Sequence, residues 1–174
     1  MRRVVYSVAM SLDGFIAGPN GEYDWIPMDP SIDWKGFMGR FDTILLGRKT
    51  YEVASASGPG TGKARTIVFS TTLAGLENPK HTLVRDEAAG FVNRLRQESG
   101  KDIWLMGGGV LFRSLLNAGQ VDVVEVGLIP ILLGTGIPFV PPDARRQTLN
   151  LTRAEKLDAT GTVMLHYDVA GVRN

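Results

Sequence analysis

Ile103-Trp104-Leu105-Met106-Gly107-Gly108-Gly109-Val110-Leu111-Phe112 is the stretch on which the fold turns. Its first four residues read as a buried strand. Three glycines break the run, and Val110, Leu111, Leu115 and Leu116 then recur at helical spacing as far as Gly119. A strand that passes through a short turn into a helix is the building unit of a parallel α/β sheet. Without Cβ atoms the backbone of such a turn can come very close to a ligand. The first N–H groups of the helix then point at it, and the helix dipole favours an anion such as pyrophosphate. A tight turn with no ligand has the same appearance in sequence.

Working outward, the same unit repeats. Residues 4–10 form an apolar, β-branched strand stopped by Ser11-Leu12-Asp13-Gly14, and residues 15–17 lead into the turn Gly18-Pro19-Asn20-Gly21. Ser31 is the expected N-cap of a short helix whose buried stripe is Trp34, Phe37 and Met38. A strand at 43–46 ends at Gly47, a helix follows at 49–56, and residues 57–63 form a glycine-rich loop. Strands are expected at 66–69 and 82–84, then a helix N-capped by Asp86 that carries Phe91, Val92 and Leu95 and stops near Gly100. After the glycine turn and its helix come a strand at 121–129, a turn region around Pro130 and Gly134-Thr135-Gly136, and an antiparallel hairpin from 148–157 and 162–169. The fold class read from this order is α/β. It has a mostly parallel central sheet, helices on both faces and a C-terminal antiparallel hairpin, with residues 1–174 as one domain.

Composition narrows the chemistry. The chain has 174 residues, 44% hydrophobic and 21% charged, which is enough to bury one core, and its net charge of +1 gives no reason to expect nucleic acid or membrane partners. No run approaches the roughly 18 apolar residues of a membrane span. The absence of cysteine removes disulfides, thiolate metal sites and a catalytic thiol together. With no signal-like apolar stretch at the start, a cytoplasmic protein is expected. His81 and His166, the only histidines, lie far apart in sequence, and no metal site is expected. A serine hydrolase elbow is absent. The loop at 57–64 resembles a P-loop but has Ser57 and Ala64 where Gly and Ser or Thr are needed, and no GxGxxG follows a strand.

Two further strand ends repeat the anion-compatible pattern. Gly47-Arg48-Lys49-Thr50 places two cations at a helix N-terminus, where the dipole disfavours them; a phosphate between the cations and the free N–H groups would relieve that conflict. Ser70-Thr71-Thr72 offers hydroxyl donors at the end of another strand, in addition to ordinary turn chemistry. Ligands of open α/β sheets bind beyond the carboxyl ends of the strands, so the three loops converge on one place. Among the acids, Asp13, Glu22, Asp24, Asp29 and Asp33 gather along the first loop and helix. Asp13 is the best placed for a role, since it follows a buried strand directly. Trp25, Trp34 and Phe37 are candidates for an apolar wall against a flat ring, or for core.

The order of these motifs carries a family resemblance. Val8-Ala9-Met10-Ser11-Leu12-Asp13-Gly14-Phe15-Ile16-Ala17, Ile44-Leu45-Leu46-Gly47-Arg48-Lys49-Thr50-Tyr51-Glu52, Val68-Phe69-Ser70-Thr71, Met106-Gly107-Gly108-Gly109 and Pro130-Ile131-Leu132-Leu133-Gly134-Thr135-Gly136 occur in sequence. Together they resemble the reductase domain of bacterial riboflavin biosynthesis, the C-terminal part of a bifunctional deaminase-reductase and a branch of the dihydrofolate-reductase-like fold. The resemblance implies an NADPH-dependent reductase, usually a homodimer, that transfers hydride to a C=N or C=O bond of a small pyrimidine- or pteridine-like molecule. By that resemblance Ala9 and Ile16 border the nicotinamide. Gly47, Arg48, Lys49 and Thr50 form a phosphate-binding turn, with Arg48 reaching the 2′-phosphate. Ser70 and Thr71 flank the adenosine phosphate. Gly107, Gly108 and Gly109 form the pyrophosphate loop, with a cis peptide between the first two glycines, and Met106 and Val110 on either side are further cofactor-binding candidates. Val110 stands where dihydrofolate reductases often have a cation. Asp33 is the nearest match to their pterin-gripping carboxylate, at a different spacing from Gly47. Asp13 would orient the substrate or relay a proton. Lacking cysteine, the chain carries no zinc deaminase domain. A second reading from another class is a non-catalytic nucleotide-binding protein that keeps the fold.

Overall fold

A computed structural model describes residues 1–56 and 63–171. In chain order its elements are β1 (Val4–Ser11), β2 (Phe15–Ala17), α1 (Trp34–Gly39), β3 (Phe41–Gly47), α2 (Arg48–Ala56), β4 (Arg65–Phe69), β5 (Thr82–Val84), α3 (Ala88–Gln97), β6 (Asp102–Gly107), α4 (Gly109–Asn117), β7 (Val123–Ile129), β8 (Ile137–Pro138), β9 (Leu149–Lys156) and β10 (Val163–Val169). Eight strands form one sheet in the order β5-β4-β3-β6-β1-β7-β10-β9, and β2 pairs separately with β8. The six strands from β5 to β7 run parallel, while β10 is antiparallel to both β7 and β9. The mostly parallel sheet and the closing antiparallel hairpin are those expected from the sequence.

Strands buried on both faces need apolar side chains at consecutive positions, which explains runs such as Thr43-Ile44-Leu45-Leu46. Alternate residues go to opposite layers. Val4, Tyr6, Leu45, Ile67 and Leu105 meet Val92 and Leu95 of α3 and Leu111, Phe112 and Leu115 of α4. On the other face Ile44, Leu46 and Val68 meet Tyr51 of α2, and Val5 and Val123 meet Phe37 of α1. Two polar clamps, one buried and one partly buried, tie the sheet's amino edge. Asp122 accepts a 2.7 Å hydrogen bond from the Val4 N–H and pairs with Arg96 at 2.5 Å. Arg2 donates to Asp42 and, at 2.7 Å, to Thr43.

The structure corrects several local expectations. Asp33, not Ser31, caps α1: its Oδ1 accepts from the Gly36 N–H at 2.8 Å. The Ser31 hydroxyl and N–H instead donate to Asp29. The N-cap of α3 is Glu87, in the left-handed region, rather than Asp86, and no side chain caps it. Trp34 is not part of a buried stripe; it is 46% exposed and meets the Phe37 ring only edge-on. The short strands β2 and β8 carry no alternation long enough to read in sequence. Of the glycine-rich loop at 57–63, only Lys63 lies within the described residues.

Candidate functional site

Two of the expected loops meet at the carboxyl edge of the sheet. β3 and β6 are neighbours, with Leu46 paired to Gly107, so the turns that follow them lie side by side. A Cβ built on Gly47 would stand 3.5 Å from the Gly108 nitrogen and 3.7 Å from the Gly107 oxygen. One built on Gly108 would stand 3.3 Å from Thr50 Oγ1, so the threonine of the first turn roofs the second. Gly107 has φ +138°, a conformation that side chains rarely adopt, and the Gly107–Gly108 peptide is cis, as the resemblance implies. Gly109 has a different reason to be glycine. Its Cβ would come 2.9 Å from the Pro138 oxygen and 3.2 Å from the Phe139 oxygen, so it packs against the returning chain. The result is a cradle without Cβ atoms at the N-termini of α2 and α4, where first-turn N–H groups have no partner within their helices.

The remaining cofactor candidates lie around this cradle. Arg48 forms an i,i+4 pair with Glu52 at 2.9 Å, which relieves the unfavourable charge at the start of α2 from within the helix. Lys49, Thr71 and Val110 are exposed. Ser70 Oγ accepts from the N–H groups of Thr72 and Leu73 at 3.2 and 3.1 Å, so its hydroxyl shapes the loop after β4. Met106 packs against the cluster of Ile44 and Leu46 on the α2 face. Ala9, partly exposed, lies one strand over on β1, and Ile16 lies in β2.

Asp13 joins the two sequence motifs that most specify the branch. Its carboxylate accepts from Ser11 Oγ at 2.6 Å and from the backbone N–H groups of Leu133 and Gly134, the latter at 2.7 Å. These donors, Ser11 foremost, hold it below the usual carboxylate range. It stays ionised and clamps the first loop to the segment before β8. Asp33 is exposed and engaged in capping, and Phe37 meets Trp104 and Phe41 edge-on at 5.1 and 5.3 Å. Trp25 Nε1 donates to the Glu22 oxygen at 3.1 Å.

Sequence reading missed a second polar group. Glu125, 4% exposed in the middle of β7, is held by Arg40 in a bidentate pair at 2.5 and 3.1 Å, and His166 Nδ1 lies 3.3 Å from its Oε1. The signal was present as a single charge within Val-Val-Glu-Val-Gly-Leu-Ile, but its partners are about 40 and 85 residues away. The tie from Asp29, only 3% exposed, to Thr160 Oγ1 at 2.7 Å was equally invisible.

Comparison with known proteins agrees with this architecture. The model of the RibD C-terminal domain family matches residues 2–164. The Bacillus subtilis (strain 168) uncharacterized protein YyaP is 34% identical over 179 residues, covering 95% of this chain and 94% of its own length. YwjB of the same organism is 32% identical over 178 residues, covering 95% and 97%. A putative riboflavin biosynthesis protein from Shewanella sp. PV-4 superposes with a TM-score of 0.83 at 24% identity, covering 97% of this chain and 99% of that one. Dihydrofolate reductase from Enterococcus faecalis, complexed with NADP(H), gives 0.71 at 20% identity over 97% and 96%. A Thermotoga maritima diaminohydroxyphosphoribosylaminopyrimidine deaminase/5-amino-6-(5-phosphoribosylamino)uracil reductase gives 0.71 at 18% identity, covering 97% of this chain and 57% of that one. At these identities the structural likenesses establish the fold.

Proposed function

The chain belongs to the RibD C-terminal domain family, and on that premise we propose that it is an NADPH-dependent reductase acting on a C=N or C=O bond of a small pyrimidine- or pteridine-like molecule. The observation that carries the reading is the double cradle in which Gly47, Thr50, Gly107 and Gly108 approach one another at two adjacent strand ends. That arrangement fits a pyrophosphate, since it offers close backbone approach and two helix N-termini at one point. Bound there, NADPH supplies the hydride.

The chain's own residues do the rest. Gly107, Gly108 and the first turn of α4 receive the pyrophosphate. Thr50 and Lys49 bracket it from α2, with Ser70 and Thr71 beside it. Arg48 turns from Glu52 to the 2′-phosphate. Ala9 and Ile16 border the nicotinamide, Met106 and Val110 flank the glycines of the pyrophosphate loop, and Asp13 keeps the two loops over the site in fixed relation. The protein is proposed to work in the cytoplasm as a homodimer. The strand β9, exposed at all eight positions on the sheet edge, leaves room for a second copy.

Titration of the protein with NADPH and NADH, followed by nucleotide fluorescence, tests the reading. Binding of NADPH that is lost in Gly108→Val, whose side chain would meet Thr50, is the expected result. A protein that binds neither nucleotide refutes it. Saturable NADPH binding with no reduction of any pyrimidine, pteridine or folate would favour the non-catalytic alternative.

A further inference from the structure

Reduction of a C=N or C=O bond consumes a proton as well as a hydride, and neither Asp13 nor Asp33, the two acids the resemblance implies, is suited to give one. Asp13 is stabilised as a carboxylate by three donors, and Asp33 caps a helix. The α1 face of the sheet carries a different group. Ser7 of β1, Glu125 of β7 and His166 of β10 stand in one row across three strands. Two residues further towards the carboxyl edge the row is Ala9, Gly127 and Met164. Ala9, partly exposed, and Gly127 present almost no side chain there, beside the expected nicotinamide position. The Met164 sulfur covers Gly127, 3.4 Å from where its Cβ would be.

On the other side of His166 the row of Val5 and Val123 is closed by Phe37 and Phe41. Beyond the row of Ala9 and Gly127, Thr160 is fastened to Asp29. His166 therefore sits one row below the expected nicotinamide position. Its side chain is 22% exposed, and Nδ1 lies against the Glu125 carboxylate. A carboxylate at Nδ1 favours the proton there and leaves Nε2 as the working nitrogen. The surrounding charges are balanced. Arg40 neutralises Glu125, Arg153 opposite on β9 pairs with Glu155, and Asp168 further along β10 is exposed.

We propose that His166, positioned by Glu125, touches the substrate and donates the proton; this rests on the reductase reading above. The hydride from NADPH, with its electron pair, forms the new C–H bond. The π pair of the C=N or C=O bond takes the proton from His166 Nε2 and becomes the new N–H or O–H bond. NADPH is oxidised, the substrate is reduced, and the neutral imidazole regains a proton from solvent, to which it is partly open.

Two histidines make the test direct. With histidine-labelled protein and saturating NADP⁺, addition of lumazine, a flat pteridine, is expected to move the His166 ring signals and leave those of His81 in place. His166→Gln should weaken lumazine binding at least tenfold with NADPH binding unchanged. On a reducible pteridine, kcat should fall at least tenfold in His166→Ala, and free imidazole should partly restore its turnover. Unmoved His166 signals, parent-level lumazine affinity in His166→Gln, or failure of lumazine to bind the NADP⁺-loaded protein would overturn the proposal. Failure of the parent protein to bind NADPH is a separate result and removes the reductase reading itself.

Discussion

Replacing Arg48 by alanine separates the phosphate assignment from ordinary surface chemistry. In the free protein Arg48 is paired with Glu52 across one helical turn, with side chains 40% and 47% exposed. An exposed pair of this kind is worth about 0.3–0.5 kcal/mol. A hydrogen-bonded contact to a phosphate is worth about 1.5–3 kcal/mol. Exchanging one for the other therefore leaves a net gain of about 1–2.5 kcal/mol, or roughly 5- to 70-fold in affinity. Arg48→Ala should raise the Kd for NADPH by that factor and leave the Kd for NADH unchanged. Glu52→Gln removes only the competing partner and should tighten NADPH binding about twofold. In the double variant the Glu52→Gln gain should vanish, because the arginine that it frees is absent. Fluorescence titration at low and moderate salt measures all four proteins, and the NADPH preference should shrink as salt screens the exposed contact. An unchanged ratio of NADPH to NADH affinity in Arg48→Ala would refute the assignment.

Three further outcomes follow from the geometry. Gly109→Ala drives a methyl against two backbone oxygens and should cost about 1–3 kcal/mol, lowering the melting temperature by several degrees; Gly75→Ala, with nothing within 4 Å, should leave it unchanged. Asp122→Ala abandons Arg96 in the interior and should cost about 3–5 kcal/mol, read as a lower urea midpoint. The Asp13 carboxyl is held below its ordinary range. Its contribution to stability is therefore present above that range and is lost as pH falls through the lowered folded value. Hydrogen exchange at the Leu133 and Gly134 amides should lose protection in acid, and Asp13→Asn should lower that protection already at neutral pH.

The main strands and helices were legible because each carries its own period or its own breaks. Ile103–Met106 followed by three glycines specifies a strand, a turn and a helix within ten residues. The helix starts were less legible. Ser31, Asp33 and Asp86 are all competent capping residues, and which one caps depends on where the chain can place an N–H. β2 and β8 escaped because two or three residues have no period. Their pairing is imposed by the Asp13 clamp and by the packing of Gly109 on Pro138.

By itself the sequence determined the α/β class, the glycine turns and the candidate phosphate residues, because backbone conformation, strand burial and helix dipoles act within a few residues of one another. It also supplied the family resemblance, which depends on the order of short motifs. Only the tertiary structure decided that Gly47 and Gly108 face each other, that Gly109 packs against the returning chain, and that Asp13 is a clamp. It alone brought Arg40, Glu125 and His166 together. Those contacts span up to about 120 residues of chain, and sheet register and strand order, which no local pattern encodes, determine which distant side chains become neighbours.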